Sequence, residues 1–232
     1  MKGGTAKSTT ALSLGAYLAR SYSVGLIDLD GQRTFCFGLV IDVATPTALD
    51  WLNGDRKGLP LETKSAGVSL IPGDLQMFKL STDKDLMSPA LKSLKVLDLY
   101  LMDCPPSLSI ASVQAILAAD RVLVPVIPEP AALKGLAEAI QLIKGESPDK
   151  PIDVVRCRYK PRLVLTREAD DMLIGASVDM GFRLLHTTIP ENIAIAESIA
   201  AQTPISDYSP KSTGALAYES LAKEVSKVWG MR

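Results

Sequence analysis

Two lysines, Lys2 and Lys7, bracket Gly3, Gly4, Thr5 and Ala6 near the start of the sequence, and Ser8 and Thr9 follow at once. Glycines let backbone amides crowd around an anion, ammonium groups neutralise it, and a hydroxyl beside the second lysine can reach a divalent cation. This set suits a polyphosphate. The common phosphate-loop pattern G-x-x-x-x-G-K-[ST] is met only at Lys7 and Ser8, because Met1 and Ala6 stand where it has glycines. Two acidic sites accompany the loop. "GLIDLDGQ" puts Asp28 and Asp30 at the end of one apolar run, and "LYLMDCPPSLS" puts Asp103 at the end of another, followed by two prolines. A carboxylate at a strand end can hold a cation or a water, and it can equally cap the next helix. Singly, each aspartate leaves both readings open. Three acids and a phosphate-type loop, all expected at the carboxyl ends of parallel strands, point together to nucleotide chemistry.

Such groups need a scaffold that sets them on one edge. "STTALSLGAYLARS" carries Leu12, Leu14, Tyr17 and Leu18 at the spacing of a helix with a buried face. Strands are expected at "VGLIDLD", "GVSLIPG", "LDLYLMD", "DRVLVPVIP", "RLVLT" and "RLLHTTIP", with helical patterns such as "AALKGLAEAIQLIKG" between them. That alternation predicts an α/β fold, a mostly parallel sheet with helices on both faces. The proline-rich stretch from Pro148 to Pro161 reads as a surface excursion. A length of 232 residues suits one domain spanning 1–232. Hydrophobic residues at 47% with 22% charged fit a soluble globular protein, and no apolar run reaches the roughly 18 residues of a membrane span. No secretory pattern opens the chain, so a cytoplasmic location is expected. Cys36, Cys104 and Cys157 are odd in number and widely spaced, which suits reduced thiols better than disulfides or zinc. A net charge of -1 excludes a uniformly basic nucleic-acid binder while leaving room for a local patch. The sole histidine, His186, stands beside two leucines and reads as a packed residue, which disfavours imidazole chemistry.

Lys2 to Ser8 match K-G-G-x-x-K-[ST], the deviant Walker A box, and with it the sequence resembles the ParA/MinD family of ATPases. The likeness continues through "VLVPVIPEPAALKG", with Pro128 and Glu129 near a subunit interface, through "TTIPENIAIAES", and into "SPKSTGALAYESLAKEV". It implies a P-loop fold, ATP and Mg2+ as cofactors, and a homodimer formed with ATP in which two subunits enclose two nucleotides. In that arrangement Gly3, Gly4, Thr5, Ala6, Lys7, Ser8 and Thr9 cradle the phosphates and Pro190 lines the adenine. Lys7 neutralises its own subunit's β- and γ-phosphates, and Lys2 reaches those of the partner. Ser8, Asp30 and Asp103 surround the magnesium, and Asp30 orients the attacking water. Two positions depart from the family pattern: Ala6 stands where glycine is usual, and Gly31 where proline is usual. An iron-sulfur reductase of the nitrogenase type shares the fold, but Cys36 and Cys157 do not follow its cysteine pattern.

The resemblance further implies a slow switch in which ATP closes the dimer, the dimer holds a surface, and a small adaptor protein stimulates hydrolysis. Non-specific DNA is the expected surface, with the protein nucleoid-associated and positioning a plasmid, chromosome region or protein cargo. The densest basic stretch, Arg156, Arg158, Lys160, Arg162 and Arg167, is the candidate DNA contact, with Arg183, Lys211 and Lys227 as later additions. A MinD-like membrane switch is the alternative. Its amphipathic helix would have to be "AYESLAKEVSKVW", whose polar face mixes Glu219 and Glu224 with Lys223 and Lys227, so membrane binding is not expected. Family members carry a strand of about 5 to 8 apolar residues ahead of the first lysine. Here only Met1 precedes Lys2, so a shortened sequence is expected, with a sheet lacking that strand and unpaired backbone on both sides of the gap.

Overall fold

The computed structural model describes residues 6–41, 46–55, 57–106 and 109–231. Lys2, Gly3, Gly4 and Thr5 therefore lie outside the described residues. In chain order the elements are α1 (Lys7–Leu18), β1 (Val24–Asp28), α2 (Thr34–Gly38), α3 (Ala48–Leu52), β2 (Leu61–Glu62), β3 (Val68–Ile71), α4 (Met87–Lys92) and β4 (Leu99–Asp103). There follow α5 (Ile110–Ala118), β5 (Val122–Val126), α6 (Pro130–Glu146), β6 (Ile152–Tyr159), α7 (Val164–Asp179) and β7 (Arg183–Pro190). The chain then runs through α8 (Ile193–Ala200), α9 (Ile205–Tyr208) and α10 (Thr213–Val228).

The strands form two sheets, in the orders β2-β3-β1-β4 and β5-β6-β7. All pairings are parallel except that of the short β2 with β3. One apolar core joins the sheets: Leu12, Leu14 and Leu18 of α1 pack with Val24 and Leu26 of β1 and with Val155 and Leu185 of β6 and β7. Tyr218, Leu221 and Val225 of α10 close this core from the same cluster. The helical spacing read in the sequence thus selects the buried face of α1, and burial of such side chains stabilises by about 1.5–3 kcal/mol each.

The described residues divide the strands between two sheets. Among the described residues no strand pairs with the free edge of β4 or of β5. Every residue of β1 is buried, whereas four of the five in β4 are only half-buried.

Two expectations change places. "RLVLT" is not a strand: Val164 to Thr166 open α7, and Leu163, Val164 and Leu165 are more than half exposed or close to it. The strand that takes its place is β6, inside the stretch read as a surface excursion. Its charges hid it. Asp153 and Arg156 interrupt the apolar pattern, yet both are buried and ion-paired, so the strand lies between β5 and β7 at the centre of its sheet. His186, read as packed, is exposed and lines a groove with Arg183, Glu224 and Lys227, because its alternation in β7 turns it to the surface while Leu185 faces inward.

Candidate nucleotide site

α1 begins without a side-chain cap, at Ala6 in the left-handed conformation with φ 65°. Backbone amides of the first helical turn lack intrahelical partners and attract an anion. The positive φ also explains why glycine suits this position, since a methyl group strains that conformation. Lys7, Ser8 and Thr9 occupy this turn half-buried.

Asp28 and Asp103 stand side by side, paired in register at the carboxyl ends of β1 and β4. Asp103 is 3% exposed, and the Ser8 side chain lies close enough to act on its carboxyl, so the helix and the strand meet at this point. Its Oδ2 is buried without a hydrogen-bond partner. Burial, with the nearby charge of Asp30, pushes its carboxyl up to about 6, against the opposing pull of Ser8 and Lys7. Asp30 is half-buried one loop away, and its Oδ1 accepts the Gln32 amide at 3.0 Å. Asp28 accepts amides from Asp30 at 3.1 Å and Phe35 at 3.2 Å, which shapes the loop carrying Asp30. Burial and the Asp103 charge push Asp28 up to about 8. Gly73 is required here, because a Cβ would lie 2.9 Å from the Asp28 carboxyl carbon.

A buried carboxylate oxygen without an internal donor costs free energy unless a cation meets it. Ser8 hydroxyl, Asp103 carboxylate, the Asp30 charge and the Lys7 ammonium thus fit a divalent cation held between protein and phosphate. Asp28 is the residue that sequence reasoning left without a role. The i, i+2 spacing of Asp28 and Asp30 was its only signal, and burial depth decided its part.

The sign of the pH dependence follows from these raised values. Both carboxyls bind protons more tightly when folded, so they favour the folded state below the usual carboxylate range and lose that contribution as pH rises through about 6 and about 8. Ligand-free protein is therefore expected to show a falling Tm from about pH 5 to about pH 8.5, and Asp28→Asn to flatten the upper part of that slope. Calorimetry across that range checks it.

The basic stretch does not converge as the sequence suggested. Arg156 is 8% exposed; it donates to Asp170 Oδ1 at 2.7 Å and to the carbonyls of Leu185 and His186 at 2.6 and 3.1 Å. Arg156 is thus removed from the DNA-facing set, because its charge is spent on joining β6, α7 and β7. Replacing it with alanine leaves the Asp170 carboxylate with only the Tyr159 hydroxyl and should cost about 3 kcal/mol in denaturant unfolding, with no specific effect on any ligand. Arg158 and Lys160 both pair with Glu191, next to Pro190, at 2.8 and 2.6 Å. They line a cleft of about 350 Å³ with Pro128, Glu129, Leu163 and Leu165 at the carboxyl ends of β5 and β6. Arg162 and Arg167 are exposed. The three thiols are free, and burial raises Cys36 and pushes Cys104 and Cys157 up to about 12, which keeps them protonated and unreactive.

Ligands of open parallel sheets bind beyond the carboxyl ends of the strands, and the groups gathered there are those of a nucleoside-triphosphate-binding α/β protein. A family model described as an AAA domain matches residues 1–150. The chromosome-partitioning ATPase Soj of Thermus thermophilus is 33% identical, over 97% of this chain and 92% of its own. The chromosome partitioning protein ParA of Caulobacter vibrioides is 32% identical, over 97% and 90%. A solved structure of the septum site-determining protein MinD of Pyrococcus horikoshii, complexed with Mg-ADP, superposes with a TM-score of 0.82 at 28% identity, covering 99% of this chain and 94% of that one. The chain belongs to the ParA/MinD family of P-loop ATPases.

Proposed function

We propose that residues 1–232 form one ParA-type ATPase domain that closes with ATP and Mg2+ into a homodimer and, in that state, holds non-specific DNA to position a plasmid, chromosome region or protein cargo. The observation that carries this reading is the buried, unpartnered Oδ2 of Asp103 with Ser8 and Lys7 close by. Gly3 to Thr9 bind the phosphates, Lys7 neutralises the β- and γ-oxygens, and Pro190 borders the adenine. Ser8, Asp30 and Asp103 hold the cation, which when bound draws charge from the phosphate oxygens. Asp30, on a loop fixed by the Asp28 carboxylate, orients the attacking water. Lys2 answers the partner's phosphates. A small adaptor protein stimulates hydrolysis, and the location is cytoplasmic, on the nucleoid.

DNA is favoured over a membrane by the packing of the last helix. Leu221 and Val225, the face that would enter lipid, are fully buried in the core. No helix among the described residues is long and apolar enough to cross a membrane. Exposed Arg162 and Arg167 are the remaining DNA contacts on the basic stretch, with Arg158 and Lys160 beside them in their Glu191 pairs. A polarisation assay with duplex DNA of unrelated sequences, run with and without ATP beside sedimentation with anionic vesicles, tests this. ATP-dependent DNA binding that weakens in Arg162→Ala/Arg167→Ala, with a shallower salt dependence, supports it. ATP-dependent vesicle binding without DNA binding overturns it.

A further inference from the structure

Lys7 and Ser8 ride on α1, so their aim depends on how that helix is rotated about its axis. Most of its contacts are apolar, and apolar contacts are non-directional. One polar group is not. Thr10, 1% exposed, places Oγ1 3.2 Å from the Tyr218 hydroxyl of α10 and 3.6 Å from the Cys157 thiol of β6. The Ser13 side chain, one turn further along α1, also lies near the same phenol and opposes the rise of its pKa. Tyr218 and Cys157 are each 1% exposed and Ser13 2%, so water is not available to replace a lost partner. Burial holds the Tyr218 phenol protonated, and the four groups form a neutral cluster inside an otherwise apolar core.

Thr10 follows Lys7 by three residues and lies on the same side of the helix. With side chains extending about 5–6 Å from the axis, a rotation of about 20° moves a side-chain tip by about 2 Å. That displacement breaks the Thr10–Tyr218 contact and shifts Lys7 by a similar amount. We propose that Tyr218 is a positioning residue for ATP hydrolysis: through Thr10 it fixes the rotation of α1 and so directs Lys7 and Ser8 at the phosphates. The last helix is thereby tied to the phosphate loop by a contact spanning 208 residues of sequence. Tyr218 itself touches no substrate. The inference rests on the nucleotide reading of the site.

The test compares Tyr218→Phe, which keeps the ring, Thr10→Val, which keeps the shape, their combination, and Thr10→Ser, which keeps the hydroxyl. Steady-state ATP hydrolysis with magnesium is measured beside thermal unfolding of the ligand-free proteins. The expected result is a fall in kcat/KM of about tenfold in each single variant and no further fall in the double, with Thr10→Ser close to the parent. Single-variant losses that multiply in the double overturn the coupling. So do variants that lose Tm while kcat and KM per folded molecule stay within about twofold of the parent. Those outcomes, in a parent that binds and hydrolyses ATP, overturn the positioning role alone; a parent that binds no nucleotide overturns the nucleotide reading with it.

Discussion

Asp103→Asn should lower magnesium-dependent ATP hydrolysis by at least about 100-fold while leaving the ligand-free protein as stable as the parent, or more so. The two effects have one cause. Asp103 is a nearly fully buried carboxylate whose Oδ2 has no donor, facing the charge of Asp30. In the ligand-free protein that arrangement is a cost, visible as a carboxyl pushed up to about 6. Asparagine keeps the size and a carbonyl oxygen for the Ser8 hydroxyl, and it removes the charge that needs solvation. Stability should therefore hold or rise. The same change removes the negative charge that a divalent cation requires, so phosphate release should become insensitive to magnesium. Phosphate-release rates over a magnesium titration, with a thermal melt of each protein, check both halves. Unchanged magnesium dependence would show that Asp103 serves only to anchor Ser8.

Lys2→Ala should abolish self-association with a non-hydrolysable ATP analogue while leaving the monomer's nucleotide affinity within a few-fold of the parent. Lys2 lies outside the described residues, so the expectation comes from charge and from family membership. Two triphosphates brought face to face repel strongly, since like charges at short range in a partly dehydrated interface cost several kcal/mol. Lys7, at the head of α1, is the residue proposed to neutralise phosphate within a subunit. In the proposed dimer, a second ammonium reaching across is what makes the closed pair tolerable. Sedimentation velocity with and without the analogue separates the two lysines: Lys7→Ala should lose nucleotide binding, and Lys2→Ala should lose only pairing. A Lys2→Ala protein that pairs like its parent would sink the switch.

Much of the site was legible because its chemistry is local. Lys7 and Ser8 are adjacent, and Asp103 is announced by an apolar run before it and prolines after it. The structure adds that Ser8 lies near Asp103, and that Asp28 stands in register with Asp103. β6 was illegible for a physical reason. Buried charges such as Arg156 and Asp153 look like surface residues until their partners, Asp170 and Arg121, are known. "RLVLT" failed in the opposite direction: an apolar run of strand type became the exposed first turn of α7. Short apolar runs carry no period that distinguishes the two.

The sequence by itself determined the residue types of the candidate phosphate loop, the acids at the strand ends, the alternating α/β order and the family. Those depend on side-chain identity and on spacing within one element, which the chain carries in plain order. Only the tertiary structure decided which charges are available. Arg156 is consumed by a buried pair, Arg158 and Lys160 are drawn to Glu191, and Tyr218 meets Thr10 across the core. Such partners lie from fourteen to more than two hundred residues apart, and burial is a property of the fold rather than of any residue.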